Sequence, residues 1–173
     1  MPENLLEIIK NRRSIRRYQN KEIPKEIIDK LIEALIWAPS AGNLQSRKFH
    51  FVFDQKIKEE LMNATSFRQK FVSQAPLAIV CSTDAKLVRA YGNRGVNVFS
   101  ICDVSASIQN LLLTAYSQGL GTCWVGAFDE KKVKEILKMT ANLKPIAIVP
   151  VGYPAESPNP HKRVSPEKAI TFV

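Results

Sequence analysis

The sequence is poor in the residues that build metal centres and nucleophilic triads. It has only two histidines, His50 and His161, and neither lies at a spacing typical of a metal site or of a Ser-His-Asp arrangement. The three cysteines, Cys81, Cys102 and Cys123, are widely spaced in apolar surroundings, which favours neither a disulfide framework nor a paired-cysteine metal site. We therefore expect no bound metal and a reducing compartment, the cytoplasm.

The sequence also lacks a signal for export. Residues 1–4 include an acidic residue and no apolar core, so no secretory signal is expected. No charged residue occurs between Asp103 and Asp129, but polar side chains interrupt this stretch and Gly119 and Gly121 end it early, which argues against a membrane span. A helix buried on every side fits better. Because a chain this short can hardly cover such a helix alone, the stretch predicts a homodimer.

Positive charge dominates the chain. Its 173 residues carry a formal net charge of +9 with a sequence pI near 9.6, and an apolar content of 45% is enough for the core of one domain. Four arginines, Arg12, Arg13, Arg16 and Arg17, crowd the end of a short predicted helix and face no local acidic partner. Such a cluster, taken alone, is more often a solvated helix end. Because guanidinium groups fit phosphate oxygens, it also predicts an anionic ligand.

Apolar periodicity predicts helices and short strands in one domain, residues 1–173. The predicted helices run over 5–10, from Pro24 to Ala38, over 55–73, from an N-cap at Asp103 to Gly119, and from an N-cap at Asp129 to about Met139. The predicted strands run over 49–53, 77–81, 122–127 and 146–152. Residues 86–100 have no clean period and are interpreted as a mobile cover. Four prolines between 154 and 173 predict an extended C-terminal arm.

Four short motifs occur in order along the chain. They are Arg-Arg-Ser-x-Arg at 12–16, Ala-Pro-Ser-Ala-Gly-Asn-x-Gln at 38–45, Gly-Leu-Gly-Thr-Cys-Trp-Val-Gly at 119–126, and Lys162-Arg163. Each motif alone is weak evidence for a family, but four motifs in this order and spacing are hard to obtain by accident. In this order and spacing the whole chain resembles a compact version of the nitroreductase family of FMN-dependent oxidoreductases.

The resemblance implies an α+β fold with a mixed, mainly antiparallel sheet flanked by helices. It also implies an interlocked homodimer with one FMN in each of two grooves at the interface. In such proteins the helix that matches 103–118 forms the dimer core, and the C-terminal arm, here 154–173, crosses to the partner. Residues 169–173 would then add an edge strand to the partner's sheet.

The resemblance further assigns contacts to the FMN. The residues matched to its phosphate and ribityl chain are Arg12, Arg13, Ser14 and Arg16, with Arg163 and Lys162 closing from the tail. The residues matched to the loop that meets the isoalloxazine from the partner subunit are Pro39, Ser40, Ala41, Asn43 and Gln45. Val125 and Gly126 match backbone near the reactive edge of the flavin. The family often continues Asn-x-Gln with Pro-Trp, whereas Ser46-Arg47 follows here. This departure leaves the role of Arg47 open.

The implied activity is hydride transfer from NAD(P)H to flavin N5, followed by ping-pong reduction of a nitroaromatic, quinone or similar electron-poor acceptor. The flavin carries the electron chemistry, so no side chain is expected to act as a catalytic acid or base. Specialised relatives that dehalogenate, break down flavin or dehydrogenate ring substrates stay open as alternatives, as does the choice between NADH and NADPH. Trp124 is interpreted as buried packing, and Cys123 as a core residue without a basic neighbour.

Nucleic-acid binding is the other class of function that the basic charge suggests. The aromatic residues Phe49, Phe51 and Phe53 alternate in an apolar strand, which is typical of core packing and not of a base-stacking platform. We therefore expect neither a nucleic-acid partner nor a membrane partner.

Overall fold

The polypeptide folds around a four-stranded sheet that is covered by helices on both faces. The computed structural model describes residues 4–173. The expectation of no secretory signal rests on residues 1–4, and three of these, residues 1–3, lie outside the described residues. The strands are β1 (Arg47–Val52), β2 (Leu77–Asp84), β3 (Gly121–Thr122) and β4 (Leu143–Gly152). Their order is β1-β2-β4-β3, and every neighbouring pair is antiparallel.

The helices connect and flank these strands. They are α1 (Leu5–Asn11), α2 (Lys25–Ile36), α3 (Gln55–Ala64), α4 (Phe71–Gln74), α5 (Gly92–Arg94), α6 (Ser100–Ser117), α7 (Glu130–Ile136) and α8 (Pro166–Ala169). Single 3₁₀ turns lie at Ala41–Asn43 and Arg89–Tyr91, and a π turn at Gly95–Phe99 leads into α6. The helix predicted over 55–73 is interrupted after Ala64, and α3 and α4 are separate.

Alternation along β2 divides the core into two layers. Leu77, Ile79 and Cys81 belong to an apolar cluster that also contains buried residues of α2 and α6. The residues between them, Ala78 and Val80, belong to a second cluster with residues of α3 and α7. Because successive side chains of a strand point to opposite faces, one apolar strand supplies both layers.

The sequence locates the central strands better than the edge strands. The two predicted central strands are present as β2 and β4, and both are longer than predicted. The strand predicted over 49–53 lies at an edge, and Phe53 is 53% exposed, so the interpretation of Phe53 as a core residue is wrong. The strand predicted over 122–127 shrinks to β3, after which only an isolated bridge joins Val125 to Ile148.

The uncharged stretch forms the long core helix of the fold. Helical turns follow one another from Arg89 to Ser117, with a break at Gly92, whose φ of 58° and ψ of −150° are not helical. Residues 89–100 are therefore regular where the sequence shows no clean period, and their role as a mobile cover stays a prediction. This 29-residue helix is long and apolar enough to cross a bilayer, but Val104, Ile108 and Leu111 are fully buried in the core cluster. Its other face is only half-buried, so within one chain the helix is not covered on every side.

Three helix ends were predicted from capping residues, and the structure confirms two of them. Asp129 caps α7 by accepting the Lys132 N–H, as predicted. Gly119 follows α6 with a φ of 75°, a left-handed conformation that glycine adopts without strain. Asp103 is not an N-cap, because α6 begins three residues earlier and its carboxylate points to another segment.

Candidate functional site

The arginine cluster is held in place by extended backbone that follows α1. The Ile15 N–H donates to the Thr122 carbonyl at 2.8 Å, and the Ala155 N–H donates to the Arg17 carbonyl at 2.9 Å. The segment after α1 is therefore fixed between β3 and the start of the C-terminal tail. A Cβ on Gly121 would lie 2.6 Å from Ile15 Cγ1, so this close approach requires glycine.

Both ends of the chain meet in a cavity of about 170 Å³, called the arginine cavity here. It is lined by Arg12, Arg13, Ser14, Arg16, Pro158, Asn159, His161 and Arg163. Five of the six residues predicted at the phosphate thus share one cavity, whereas Lys162 does not line it.

The arginine cavity carries positive charge that no carboxylate of its lining neutralises. Within residues 4–173, neither Arg12, Arg13, Arg16 nor Arg163 forms an ion pair with an acidic side chain. Burial, followed by the charges of Arg163 and Arg13, lowers the pKa of Arg12. Like charges held this close favour binding of an anion. The donor set therefore fits the phosphate of a mononucleotide such as FMN.

Two further polar groups border this cluster. The Arg16 backbone N–H donates to the Glu156 carboxylate, which brings one acid beside the arginines. Cys123 is 3% exposed, and burial raises the pKa of its thiol against the opposing effects of Arg16, a Ser14 hydrogen bond and Arg12. Cys123 is therefore buried as expected, but the interpretation that it has no basic neighbour is wrong.

The loop of residues 39–45 is the second predicted part of the site. The Ala41 N–H donates to Asp103 Oδ1 at 2.9 Å, and the Ser40 hydroxyl accepts the Gln45 N–H at 2.9 Å. Asn43 and Gln45 have φ values of 55° and 52°, so this short loop departs from helical and extended conformations. Both side chains are exposed in the single chain.

Arg47, whose role the sequence leaves open, supports this loop from behind. Its guanidinium donates to the carbonyls of Ile36, Ala38 and Pro39 at 2.7, 2.8 and 3.2 Å. These are the last carbonyl of α2 and two that follow it, which helix geometry leaves without an intrahelical donor. Arg47 therefore fixes the exit from α2.

A single chain does not bring the loop to the arginine cavity. The loop is tied to Asp103 near the start of α6, whereas Tyr116 near its end lines a neighbouring cavity of about 370 Å³ together with Arg12 and Arg13. Thirteen residues of α-helix separate Asp103 from Tyr116, which corresponds to about 20 Å at a rise of about 1.5 Å per residue. The two predicted halves of the site thus lie at opposite ends of one helix.

The third predicted segment lies beside β4. The Val125 N–H donates to the Ile148 carbonyl at 3.0 Å, and the Ile148 N–H donates back to the Val125 carbonyl at 2.9 Å. This pairing leaves Gly126 exposed at the surface. Trp124 lies beside Gly126 but is 38% exposed, so the interpretation of its side chain as buried packing is wrong.

A neighbouring loop presents an aromatic ring that the sequence does not single out. Phe67 is fully exposed with a φ of 63°, and Arg68 follows with a φ of 46°. The loop is tied to the third segment because the Ser66 N–H donates to the Ala127 carbonyl at 2.9 Å. Two successive left-handed residues without glycine are strained, which is a property of many functional loops.

His161 is the cavity residue that motif matching misses. His161 and Arg163 line the arginine cavity, whereas Lys162 between them does not, which is the alternation expected of extended chain. The sequence feature that could have indicated His161 is the proline-rich composition of the tail, because it predicts extended chain. Asp103 was also missed, although a lone carboxylate at the start of an uncharged stretch indicates a specific buried contact.

Comparison with known proteins is consistent with this geometry. The family model described as "Nitroreductase family" matches residues 9–66 and 54–153, and the chain belongs to this family. A Methanothermobacter thermautotrophicus protein provisionally named an NADH dehydrogenase/NAD(P)H nitroreductase is 34% identical over 171 residues, which cover 95% of this chain and 85% of the relative. An NADH dehydrogenase of Thermus thermophilus is 29% identical over 189 residues, with 93% and 92% covered.

Solved structures agree in fold. A nitroreductase family protein from Clostridium novyi NT superposes with a TM-score of 0.82 at 30% identity and covers 89% of this chain and 87% of its own. An FMN-dependent nitroreductase from Clostridium difficile superposes with a TM-score of 0.82 at 27% identity, with 96% and 98% covered. The expected α+β class with an antiparallel sheet and flanking helices is confirmed.

Proposed function

We propose that this protein is an FMN-dependent NAD(P)H oxidoreductase built as a single domain. The observation that carries the proposal is the convergence of Arg12, Arg13, Ser14 and Arg16 with Arg163 of the tail on one cavity. Family membership and the names of the relatives support it, since these include NADH dehydrogenase, NADPH-dependent oxidoreductase and FMN-dependent nitroreductase.

In this proposal the chain binds and orients the cofactor. FMN, when bound, supplies the two-electron chemistry between a nicotinamide and an electron-poor acceptor such as a nitroaromatic or a quinone. The arginines hold its phosphate, because guanidinium donors match phosphate oxygens and stay charged. The Val125 and Gly126 backbone lies where close approach to a flat ring is possible, since Gly126 carries no side chain. No side chain is assigned as a catalytic acid or base.

We further propose that each site is shared between two subunits. The loop of residues 39–45 is tied to Asp103, about 20 Å along α6 from Tyr116, which lies beside Arg12 and Arg13, and this separation favours a loop that does not serve the arginine cavity of its own chain. In a homodimer the loop of one subunit would serve the cavity of its partner. The exposed apolar residues support such an assembly, since Leu5 and Leu6 of α1 are 64% and 52% exposed and Phe172 of the tail is 95% exposed. The tail, residues 154–173, would cross to the partner.

Flavin content tests the cofactor assignment. We expect the purified protein to be yellow and to release FMN on denaturation. The Arg12→Ala/Arg16→Ala variant should lose at least about 100-fold in FMN affinity, because each charge-assisted contact contributes about 1.5–3 kcal/mol. Arg17→Ala/Lys48→Ala removes the same charge outside the cavity and is the matched control. Equal flavin content in both variants would falsify the phosphate assignment.

Stopped-flow reduction tests the activity. NADH and NADPH are mixed separately with the flavin-loaded protein, and bleaching of the flavin absorbance is followed before a nitroaromatic or a quinone is added. Reduction by either nucleotide followed by reoxidation by these acceptors is expected for a general oxidoreductase. Rapid reduction with reoxidation by neither acceptor class would favour one of the specialised relatives.

A further inference from the structure

The segment between β2 and α6 packs against the loop of residues 39–45. A Cβ on Gly42 would clash with Tyr91 Oη, so the Tyr91 hydroxyl contacts the loop. Tyr91 is itself held in place, because its ring meets the Phe99 ring edge-to-face with the centroids 5.5 Å apart. A Cβ on Gly95 would lie 2.7 Å from Tyr91 Cβ, which closes the other side. These contacts fix the segment beside the loop that is matched to the flavin ring.

Positive charge accumulates on this segment. Lys86, Arg89 and Arg94 are exposed, and the sequence has no acidic residue between Asp84 and Asp103. Among the described residues, 4–173, none of the three cations forms an ion pair. The carboxylates of Asp84 and Asp103 accept hydrogen bonds within the fold. The segment therefore presents three cations without an acidic partner, and such a surface attracts anions.

Arg94 is the cation whose position relative to the loop is fixed by contacts. Its guanidinium lies over the Phe99 ring, with Cζ 5.4 Å from the ring centroid, which is a cation–π contact. Phe99 in turn contacts Tyr91, and Tyr91 contacts Gly42 of the loop. Arg94 is therefore separated from the loop by two aromatic rings. Because stacking uses the face of the planar guanidinium, its N–H donors stay free for a ligand.

We propose that Arg94 binds a phosphate of the nicotinamide nucleotide and thereby selects the hydride donor. The inference rests on the proposed function, because it takes the loop of residues 39–45 to lie at the flavin ring that receives the hydride. The FMN phosphate is assigned to the arginine cavity, and nitroaromatics and quinones carry no phosphate, so the nucleotide is the anionic reactant that remains. One ribose separates its ring from the nearest phosphate, which suits a cation set back from the loop by two aromatic rings.

Stopped-flow reduction of the flavin-loaded protein tests this assignment with two hydride donors. The first is whichever of NADH and NADPH reduces the wild type faster, and the second is reduced nicotinamide riboside, which has the same ring and ribose but no phosphate. In Arg94→Ala the nucleotide concentration for half-maximal reduction should rise about tenfold, because a charge-assisted contact is lost. The value for the riboside should not change. Arg94→Lys should recover part of the loss, since its ammonium keeps the charge but not the planar fork.

Lys56→Ala is the matched control for loss of surface charge. Lys56 is exposed in α3, which follows the end of β1 that is remote from the loop, and it forms no ion pair among residues 4–173. This variant should behave as the wild type with both donors. Because salt screens exposed charges, added NaCl should weaken binding of the nucleotide more in the wild type and in Lys56→Ala than in Arg94→Ala.

The outcomes separate the two proposals. An equal rise for nucleotide and riboside in Arg94→Ala would show that Arg94 only supports the loop, and this result would overturn the inference. An unchanged value for the nucleotide would overturn it as well. Both results leave FMN as the cofactor and NAD(P)H as the donor. If neither donor reduces the flavin of the wild type, the proposed function itself fails.

Discussion

Asp103 and Ser46 form a buried hydrogen bond that ties α6 to the end of the loop after α2. The Ser46 hydroxyl donates to Asp103 Oδ2 at 2.7 Å, and the two residues are 0% and 4% exposed, respectively. The other carboxylate oxygen accepts the Ala41 N–H at 2.9 Å. One carboxylate therefore holds the 39–45 loop at Ala41 and at Ser46, the residue that follows it.

Asp103→Ala should lower the free energy of unfolding by about 2–3 kcal/mol, because it leaves the Ser46 hydroxyl and the Ala41 N–H without their charged acceptor. Urea unfolding followed by circular dichroism measures the change. Asp29→Ala is the control, since Asp29 pairs with Lys25 in solvent and an exposed pair contributes at most about 1 kcal/mol. An equal decrease in the free energy of unfolding in the two variants would contradict the prediction that the buried contact stabilises the fold more than the exposed ion pair.

Arg47 gives a second stability prediction. Arg47→Ala should destabilise by about 2–4 kcal/mol, since the carbonyls of Ile36, Ala38 and Pro39 lose their donor at the negative end of α2. Arg47→Lys should recover only part of the loss, because an ammonium group lacks the planar fork that spans three acceptors. Lys48→Ala, at the next and exposed position, should change stability by less than about 0.5 kcal/mol. Thermal and urea midpoints of the three variants give the comparison.

The central fold could be predicted because its elements depend on local pattern. β2 and β4 are runs of apolar residues, and buried strands of this kind need no distant partner to be recognised. The edge strands failed for the opposite reason. β3 is two residues long because its ladder with β4 stops after the Thr122–Val151 pair and returns only as a single bridge at Val125–Ile148, in the same register. Nothing local in residues 122–127 shows where this pairing stops.

The candidate site likewise contains residues that local sequence indicates and residues that depend on distant contacts. The arginines at 12–16 are visible because they are crowded in sequence. The contributions of His161 and Asp103 depend on contacts between distant parts of the sequence. The tail returns to the first segment over more than a hundred residues, and Asp103 contacts Ala41, 62 residues before it. The sequence predicts an N-cap at Asp103 because aspartate is strongly preferred at the N-cap of a helix. The π turn at Gly95–Phe99 extends the helix upstream and removes that role.

Alkaline pH should weaken the fold. Burial raises the pKa values of the Cys81 and Cys123 thiols and of the Tyr18 phenol above their ordinary values. The folded protein therefore keeps protons that the unfolded chain releases, so stability falls as pH rises above about 8.5, and more steeply above about 10. Urea midpoints at pH 7, 9 and 10.5 measure the decline. Tyr18→Phe should flatten the final step, and a wild-type midpoint that stays constant to pH 10.5 would contradict the sign.

Hybrid dimers test whether the site is shared. One subunit carries Arg12→Ala/Arg16→Ala and the other carries Asn43→Ala/Gln45→Ala, and two different affinity tags isolate the mixed dimer after co-expression. If the 39–45 loop serves the partner's cavity, one site of the hybrid has both defects and the other has none, so the hybrid recovers half of the wild-type flavin while each parent binds little. If cavity and loop act within one chain, both sites stay defective and no flavin is recovered. A second hybrid, of the arginine variant with wild type, is the control for folding, because it should contain one intact site in either arrangement. Sedimentation of the hybrid must give twice the 19.5 kDa chain mass for the comparison to hold, and a flavin-loaded species at the mass of one chain would exclude the shared site.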